Sequence, residues 1–407
     1  MNILFLTTQL PYPPISGGVI KSWKLVEHWG SGDHELTVIC PFKNDDKNNA
    51  EAFQKALPKV KLISEEIERE RSALNLIKSY FLSDTLNVYR NYHPQLKKKI
   101  DEVIPKADVV IIDHYEMGQY VEGKYSDKTI LHEHNAEYVM WDRLAEFESN
   151  PLKKFLIRAE SSRIKRTEEK YADRSSLIWA APNDIIELEK LGIAKSKCRT
   201  TYHLGEDEML DWPELKFEDT EESLLFVGTL TWEANVDGLQ WFINEVWPKL
   251  IEEKPDLTFN IIGKNPDPRI KALADEYVGI NLTGFVEDLE PYHRRARVFV
   301  IPLRFGSGIK VKLINAMYRG LPTVTTAVGT EGLDTVNGKH LFETSSPKEQ
   351  AESVLKLLDD ANLWAELSKN CRQLSKNYTW KSLLSRHDAE ISEIIGNPKN
   401  EKFVLNQ

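Results

Sequence analysis

Cysteine is scarce in this sequence. Its 407 residues contain three, Cys40, Cys198 and Cys371, far apart and without a CxxC pair. Neither a disulfide framework nor a zinc site is therefore expected. An excess of positive charge is also missing. The net charge of −10 excludes a general nucleic-acid binder, which needs a basic field. No apolar run approaches the ~18 residues that span a bilayer. The opening Met1-Asn-Ile-Leu-Phe-Leu has no basic n-region and soon meets prolines, so it reads as a first strand and not as a signal peptide. The expected location is the cytoplasm. No Walker A spacing occurs, no Asp-x-Asp stands at a strand end, and there is no short repeat or low-complexity tract.

What is present is an ordinary globular composition, long enough for two domains. Short apolar, β-branched runs alternate with helical patterns. In the first half they are 2–7, 35–40, 60–63, 108–112, 129–131, 175–179 and 199–202. In the second they are 223–227, 257–262, 280–283, 298–302 and 323–325. Near-continuous apolarity in such runs predicts parallel strands covered on both faces. The fold class expected is α/β, with two Rossmann-like, doubly wound parallel-sheet domains facing across a cleft. The first domain would take 1–203 and the second 223–379. The acidic, proline-containing stretch 204–222 reads as a linker, and 380–395 as an amphipathic helix packing back on the first domain.

Around the second-half strand ending at Pro302 lies Pro302-Leu-Arg-Phe-Gly-Ser-Gly-Ile-Lys-Val-Lys-Leu-Ile-Asn-Ala-Met. Glycines let a backbone approach a ligand closely. A helix start offers unpaired N–H groups and partial positive charge, which suits a phosphate. Arg304, Lys310 and Lys312 add formal charge. The plainer reading is a tight αβ turn; the three basic residues favour phosphate.

This stretch, continued through Tyr-Arg-Gly-Leu-Pro-Thr-Val-Thr-Thr, resembles the signature of the group 1, or family 4, glycosyltransferases of the two-Rossmann GT-B fold. Four more stretches resemble the family in order: Phe226-Val-Gly-Thr-Leu-Thr-Trp-Glu-Ala-Asn-Val-Asp-Gly-Leu, Ile261-Ile-Gly-Lys-Asn-Pro, Thr283-Gly-Phe-Val-Glu-Asp-Leu and Gly329-Thr-Glu-Gly-Leu. So does the first turn, with Pro11, Pro13, Pro14, Gly17 and Gly18. The likeness spans nearly the whole chain, is strongest over 223–333, and points to a bacterial subgroup associated with exopolysaccharide and cell-envelope sugars.

The resemblance implies a nucleotide-diphosphate sugar as co-substrate, retention of anomeric configuration, no obligatory metal and no other cofactor. By position, Gly17 and Gly18 would face the donor phosphates from the first domain, and Gly228 and Thr229 from the second. Gly263, Lys264, Phe285 and Val286 would flank the base. Gly308, Ile309 and Lys310 would hold the diphosphate, with Lys312 and Arg304 adding charge. Glu331 and Gly332 would reach sugar or phosphates, and a histidine near His134 would approach the donor sugar. The family's two glutamates eight positions apart are here Ser307 and Asn315, of which Asn315 can still bond ribose hydroxyls. These replacements raise the alternative of a weak or inactive nucleotide-sugar-binding homologue or partner subunit; the shared fold raises that of a nucleotide-sugar epimerase, which would need cleft carboxylates that the sequence does not mark.

Two histidine-rich strand ends, Asp113-His-Tyr-Glu and Leu131-His-Glu-His, would sit at the carboxyl edge of the first sheet. Asp113, His114 and Glu116 are candidates for acceptor contact. His132, Glu133 and His134 could be read as metal ligands, but supply only two good ones where zinc wants three or four. From 150 to 171, seven Lys/Arg face three Glu beside Leu152, Phe155, Leu156 and Ile157. Such a helix can touch an anionic membrane, or be a solvated face with i,i+4 pairs. The acceptor implied is a glycan or a lipid-linked molecule.

Overall fold

The computed structural model describes residues 1–14, 17–42, 47–67, 69–70, 72–306 and 308–396, without the side chain of Phe147. Ser307 lies outside the described residues. The chain divides into two units, one of Met1–His203 with Leu383 onwards, the other Leu204–Ser382.

The first unit holds a seven-stranded sheet: β1 (Asn2–Thr7), β2 (Glu35–Phe42), β3 (Lys61–Glu66), β4 (Val109–Asp113), β5 (Thr129–His132), β6 (Leu177–Ala180) and β7 (Cys198–Thr200). Their order is β3-β2-β1-β4-β5-β6-β7, with every pairing parallel. β4 and β5 are buried along their whole length, as apolar runs covered on both faces must be. The chain winds outward from β1 through β2 to β3, then returns to place β4 on the other side of β1. This reversal makes the carboxyl ends of β1 and β4 a topological switch point, where open α/β sheets leave a crevice. The register aligns Thr7 with Asp113, and Asp113 with His132, across three neighbouring strands.

The second unit repeats the plan with six parallel strands: β8 (Glu221–Val227), β9 (Thr258–Ile262), β10 (Ile280–Gly284), β11 (Ala296–Ile301), β12 (Thr323–Thr325) and β13 (Phe342–Glu343). The order β10-β9-β8-β11-β12-β13 puts its switch point between β8 and β11. β13 was not expected; two residues carry no readable periodicity.

The proposed linker is not one. Residues 204–222 fold onto the second unit. Leu215 and Phe217 pack on its core, and Glu221 and Glu222 begin β8. Arg372 donates to the carbonyls of Leu210 and Trp212, and Arg319 to that of Pro213, at 3.1 Å. The helix Trp380–Ile395 forms as expected, and from Leu383 it belongs to the first unit. There Asp388 accepts from Trp29 Nε1 at 2.9 Å and Glu390 from Trp179 Nε1 at 2.6 Å. No described helix is long and apolar enough to cross a membrane.

Candidate active site

At the second unit's switch point, three segments converge. β8 ends at Val227 and turns at Gly228, whose N–H donates to Ile262 O at 2.9 Å. β9 ends at Ile262, and Gly263 N–H donates to Gly284 O at 2.9 Å. A Cβ on Gly263 would stand 2.0 Å from Gly228 O, so only glycine lets the two turns close on one another. β11 leads through Gly306 (φ 139°) and Gly308 (φ 75°), left-handed conformations that favour glycine, into the helix Val311–Arg319. Lys310, at the N-cap of that helix, makes no side-chain cap bond, and among the described residues no side chain takes the first N–H groups.

Lys312 Nζ donates to Asn235 Oδ1 at 2.8 Å and sits 4.1 Å from the centre of the Phe226 ring. Asn235 is itself buried and fixed by a bond from its Nδ2 to Thr229 O at 2.8 Å. The ammonium also lies 2.7 Å from where a Cβ on Gly228 would be. Burial, aided by the like charge of Lys310, lowers the Lys312 pKa to about 7. Lys310 is buried; its ammonium donates to Gly308 O and stands 3.5 Å from Glu331 Oε2. Burial lowers its pKa against the pull of Glu331. Two enclosed ammonium groups therefore flank this turn: Lys310 has Glu331 beside it, and Lys312 has no carboxylate partner among the described residues.

The other residues expected at a donor site in this unit are placed as follows. Lys264 Nζ stands 4.1 Å from the ring centre of Phe285, which is exposed, while Val286 packs on the core. Gly332 has φ 80° and follows Glu331, which ends the short helix Ala327–Thr330. Ile309 is half-buried in the approach to the helix. Two assignments change. Arg304 is engaged in a two-pronged pair with Asp237, one prong at 2.8 Å, so it is not a free phosphate ligand. Asn315 Oδ1 already accepts from Glu206 N–H at 3.0 Å, which leaves its amide NH2 for a ribose hydroxyl.

In the first unit, the β1/β4 switch point gathers Asp113, His114, His132 and His134. Asp113 is fully buried, which corrects its assignment to acceptor contact. It accepts four bonds of 2.7 Å: Thr7 Oγ1 and Ser22 Oγ on Oδ2, His132 Nδ1 and His134 Nε2 on Oδ1. Burial alone would raise its pKa. The imidazoles beside it and the hydrogen bonds of His132 and His134 outweigh that and hold the carboxyl well below its usual range. Burial pushes His134 down to about 4, and His114 and His132 to about 3. The His114 and His134 rings stack with centroids 3.7 Å apart. Gly18, in the first turn of the helix Gly17–Ser31, would place a Cβ 3.6 Å from His134 Nδ1. Sequence reasoning named His132, Glu133 and His134 as conceivable ligands; the group whose ligand atoms lie within 4.8 Å of one another is Asp113, His132 and His134. Sequence reasoning missed Asn235 and the hub role of Asp113. Neither has a local signal, because each acts on a residue far away in the chain.

Residues 221–360 match the family described as glycosyl transferases group 1. An uncharacterised 44.6 kDa protein of the cps region of Klebsiella pneumoniae is 24% identical over 392 residues, covering 94% of this chain and 98% of that protein. Among solved structures, HepE of Anabaena in complex with UDP superposes with a TM-score of 0.66 at 12% identity, over 97% of this chain and 100% of HepE. WaaG, a glycosyltransferase involved in lipopolysaccharide biosynthesis, gives 0.61 at 14% identity, over 97% and 100%. The fold is that of the GT-B glycosyltransferases.

Proposed function

We propose that this chain, whose residues 221–360 form a group 1 glycosyltransferase domain, is a retaining transferase. It moves a sugar from a nucleotide-diphosphate sugar to a glycan or lipid-linked acceptor. One observation carries the reading: the enclosed Lys310 and Lys312 at an uncapped helix start, beside the glycine turns at Gly228 and Gly263. Breaking the bond to the anomeric carbon leaves negative charge on the diphosphate. Fixed N–H groups and two ammonium groups in a site shielded from water stabilise that charge where it develops. The lysines supply this charge without an obligatory metal. The second unit binds the nucleotide; within the first unit, His134 beside Gly18 is the candidate for contact with a sugar. Attack comes from the face the nucleotide leaves, with the departing phosphate taking the acceptor's proton. The cps-region relative, matched over nearly its whole length, supports a role in bacterial polysaccharide or cell-envelope glycan synthesis. The test is the anomeric configuration of the product by NMR: retention is expected, and inversion would exclude this route.

The acceptor side of this reading is a membrane surface at the inner face of the cell membrane. The helix Pro151–Arg174 exposes Leu152 and Phe155 beside Lys153 and Lys154, an apolar and basic end suited to anionic lipid. The protein is expected to sediment with phosphatidylglycerol vesicles at low salt, and Phe155→Asp to stay in the supernatant. Equal partition onto neutral and anionic vesicles would remove the role of the lysines, and no partition onto either would remove the membrane from the account.

A further inference from the structure

The carboxyl edge of the first sheet carries more organisation than one sugar-binding histidine requires. Asp113 is ionised and therefore has no proton to give. Every group at 2.7 Å from it must donate, so His132 carries its proton on Nδ1 and His134 on Nε2. Each ring spends one N–H on Asp113, and His132 Nε2 is buried with no acceptor for a second proton among the described residues; the same pairing leaves Nδ1 of His134 as the nitrogen that can accept. The two differ in access. His132 has no side-chain exposure, and its Nε2 meets no hydrogen-bond partner among the described residues. His134 keeps a 6% exposure, and its Nδ1 faces Gly18, where the absence of a side chain leaves that nitrogen approachable.

The plane of the His134 ring is fixed as well. His114 stacks on it with an interplanar angle of 17°. His114 adopts φ 74° and ψ 134°, a conformation that side-chain-bearing residues avoid. Strain of this kind persists where surrounding contacts over-determine it. Here His114 N–H donates to His132 O at 3.1 Å, tying it to the neighbouring strand end.

We propose that Asp113 and His114 are positioning residues for transfer: Asp113 fixes His134 as its Nε2–H tautomer and His114 fixes its plane, so that Nδ1 accepts a hydrogen bond from a sugar hydroxyl beside Gly18. The inference rests on the placement of His134 at the donor sugar. The free nitrogen of His134 thus accepts and does not donate. A sugar lacking the hydroxyl at that position loses a bond it had donated.

Two measurements test it. The first needs no substrate. In the full chain labelled with 15N-histidine, His134, assigned by its loss in His134→Gln, is expected to show a pyrrole-type Nε2 and a pyridine-type Nδ1 near neutral pH. A protonated Nδ1 overturns the proposal. The second is nucleotide release from whichever of UDP-, GDP- or dTDP-glucose the wild type turns over. His114→Gly relieves the strained backbone, so it is expected to melt no lower than wild type while kcat falls about tenfold and KM for the nucleotide sugar stays the same. Asp113→Asn is expected to lower kcat about 10- to 100-fold, as loss of tautomer control does elsewhere. If His134→Ala is inactive while both positioning variants keep wild-type kcat, the positioning roles fail alone. If His134→Ala is fully active, the placement of His134 at the sugar fails first. Stoichiometric zinc in the purified protein, lost in Asp113→Asn, would make the three side chains metal ligands and overturn the proposal.

Discussion

Lys312→Ala is expected to weaken binding of a nucleoside diphosphate by about 1–3 kcal/mol, the range for a charged hydrogen bond, or roughly 5- to 150-fold in Kd. The ammonium is held by Asn235 and the Phe226 ring. The free protein cannot fully compensate it, and so its pKa has fallen to about 7. A diphosphate beside it would restore the charged form. The sign follows directly. Below about pH 7 the lysine is already charged in the free protein and binding needs no proton at this site. At about pH 8 it is mostly neutral when free and charged when bound, so binding takes up a proton. Affinity should therefore fall as pH rises above 7, by up to about tenfold per unit, until the bound-state pKa is passed. Calorimetry in two buffers of different ionisation enthalpy reads both quantities at once. Lys312→Ala should lose the affinity and the proton uptake together. Lys310→Ala should weaken binding by a similar amount; unchanged affinity in both variants would remove the lysines from the donor site.

Gly263→Ala is expected to cost about 1–3 kcal/mol of stability, the usual range for overpacking. Its Cβ would meet Gly228 O at 2.0 Å and the Leu230 side chain at 2.7 Å. The first contact is with backbone, so no rotamer change can relieve it, and the turn after β8 must move. At roughly 2–4 °C per kcal/mol for a unit of this size, the melting midpoint should fall by several degrees. The moved turn carries Gly228, so nucleotide affinity should fall as well. Gly228→Ala is the contrast. Its Cβ would meet only side-chain atoms: the far end of Lys312 at 2.7 Å, Asn235 Nδ2 at 3.0 Å and the Phe226 ring at 3.1 Å, with no backbone in the way. That variant should keep nearly the wild-type melting midpoint and lose affinity by displacing the ammonium. A Gly263→Ala protein with unaltered stability and affinity would show that the close approach of the two turns is not required.

The twelve apolar runs read from the sequence all became strands, with ends shifted by at most three residues. Strands buried on both faces must be apolar throughout, and that requirement is local enough to see. The 204–222 stretch misled because its acidic, proline-containing composition resembles a linker. Its attachment comes through backbone carbonyls that accept from Arg319 and Arg372, more than a hundred residues away. Lys310 and Lys312 could be singled out in the sequence because charge and glycine sit together in one turn. That Arg304 would be taken by Asp237 was not legible there, since the partner lies 67 positions earlier in another helix. Asp113 was visible only as one acid among histidines. Its four donors come from β1, the helix Gly17–Ser31, β5 and the turn after β5, and only the sheet order brings them together.

The most direct test of the account is turnover. The purified protein is incubated with UDP-, GDP- and dTDP-linked sugars, with and without a membrane-lipid or glycan fraction from a polysaccharide-producing bacterium, and both nucleotide and sugar are followed. The account predicts that free nucleoside diphosphate accumulates with one donor, only when acceptor is present, and that Lys312→Ala slows it. Tight nucleotide binding without release under any acceptor, or an altered sugar still attached to its nucleotide, would contradict it.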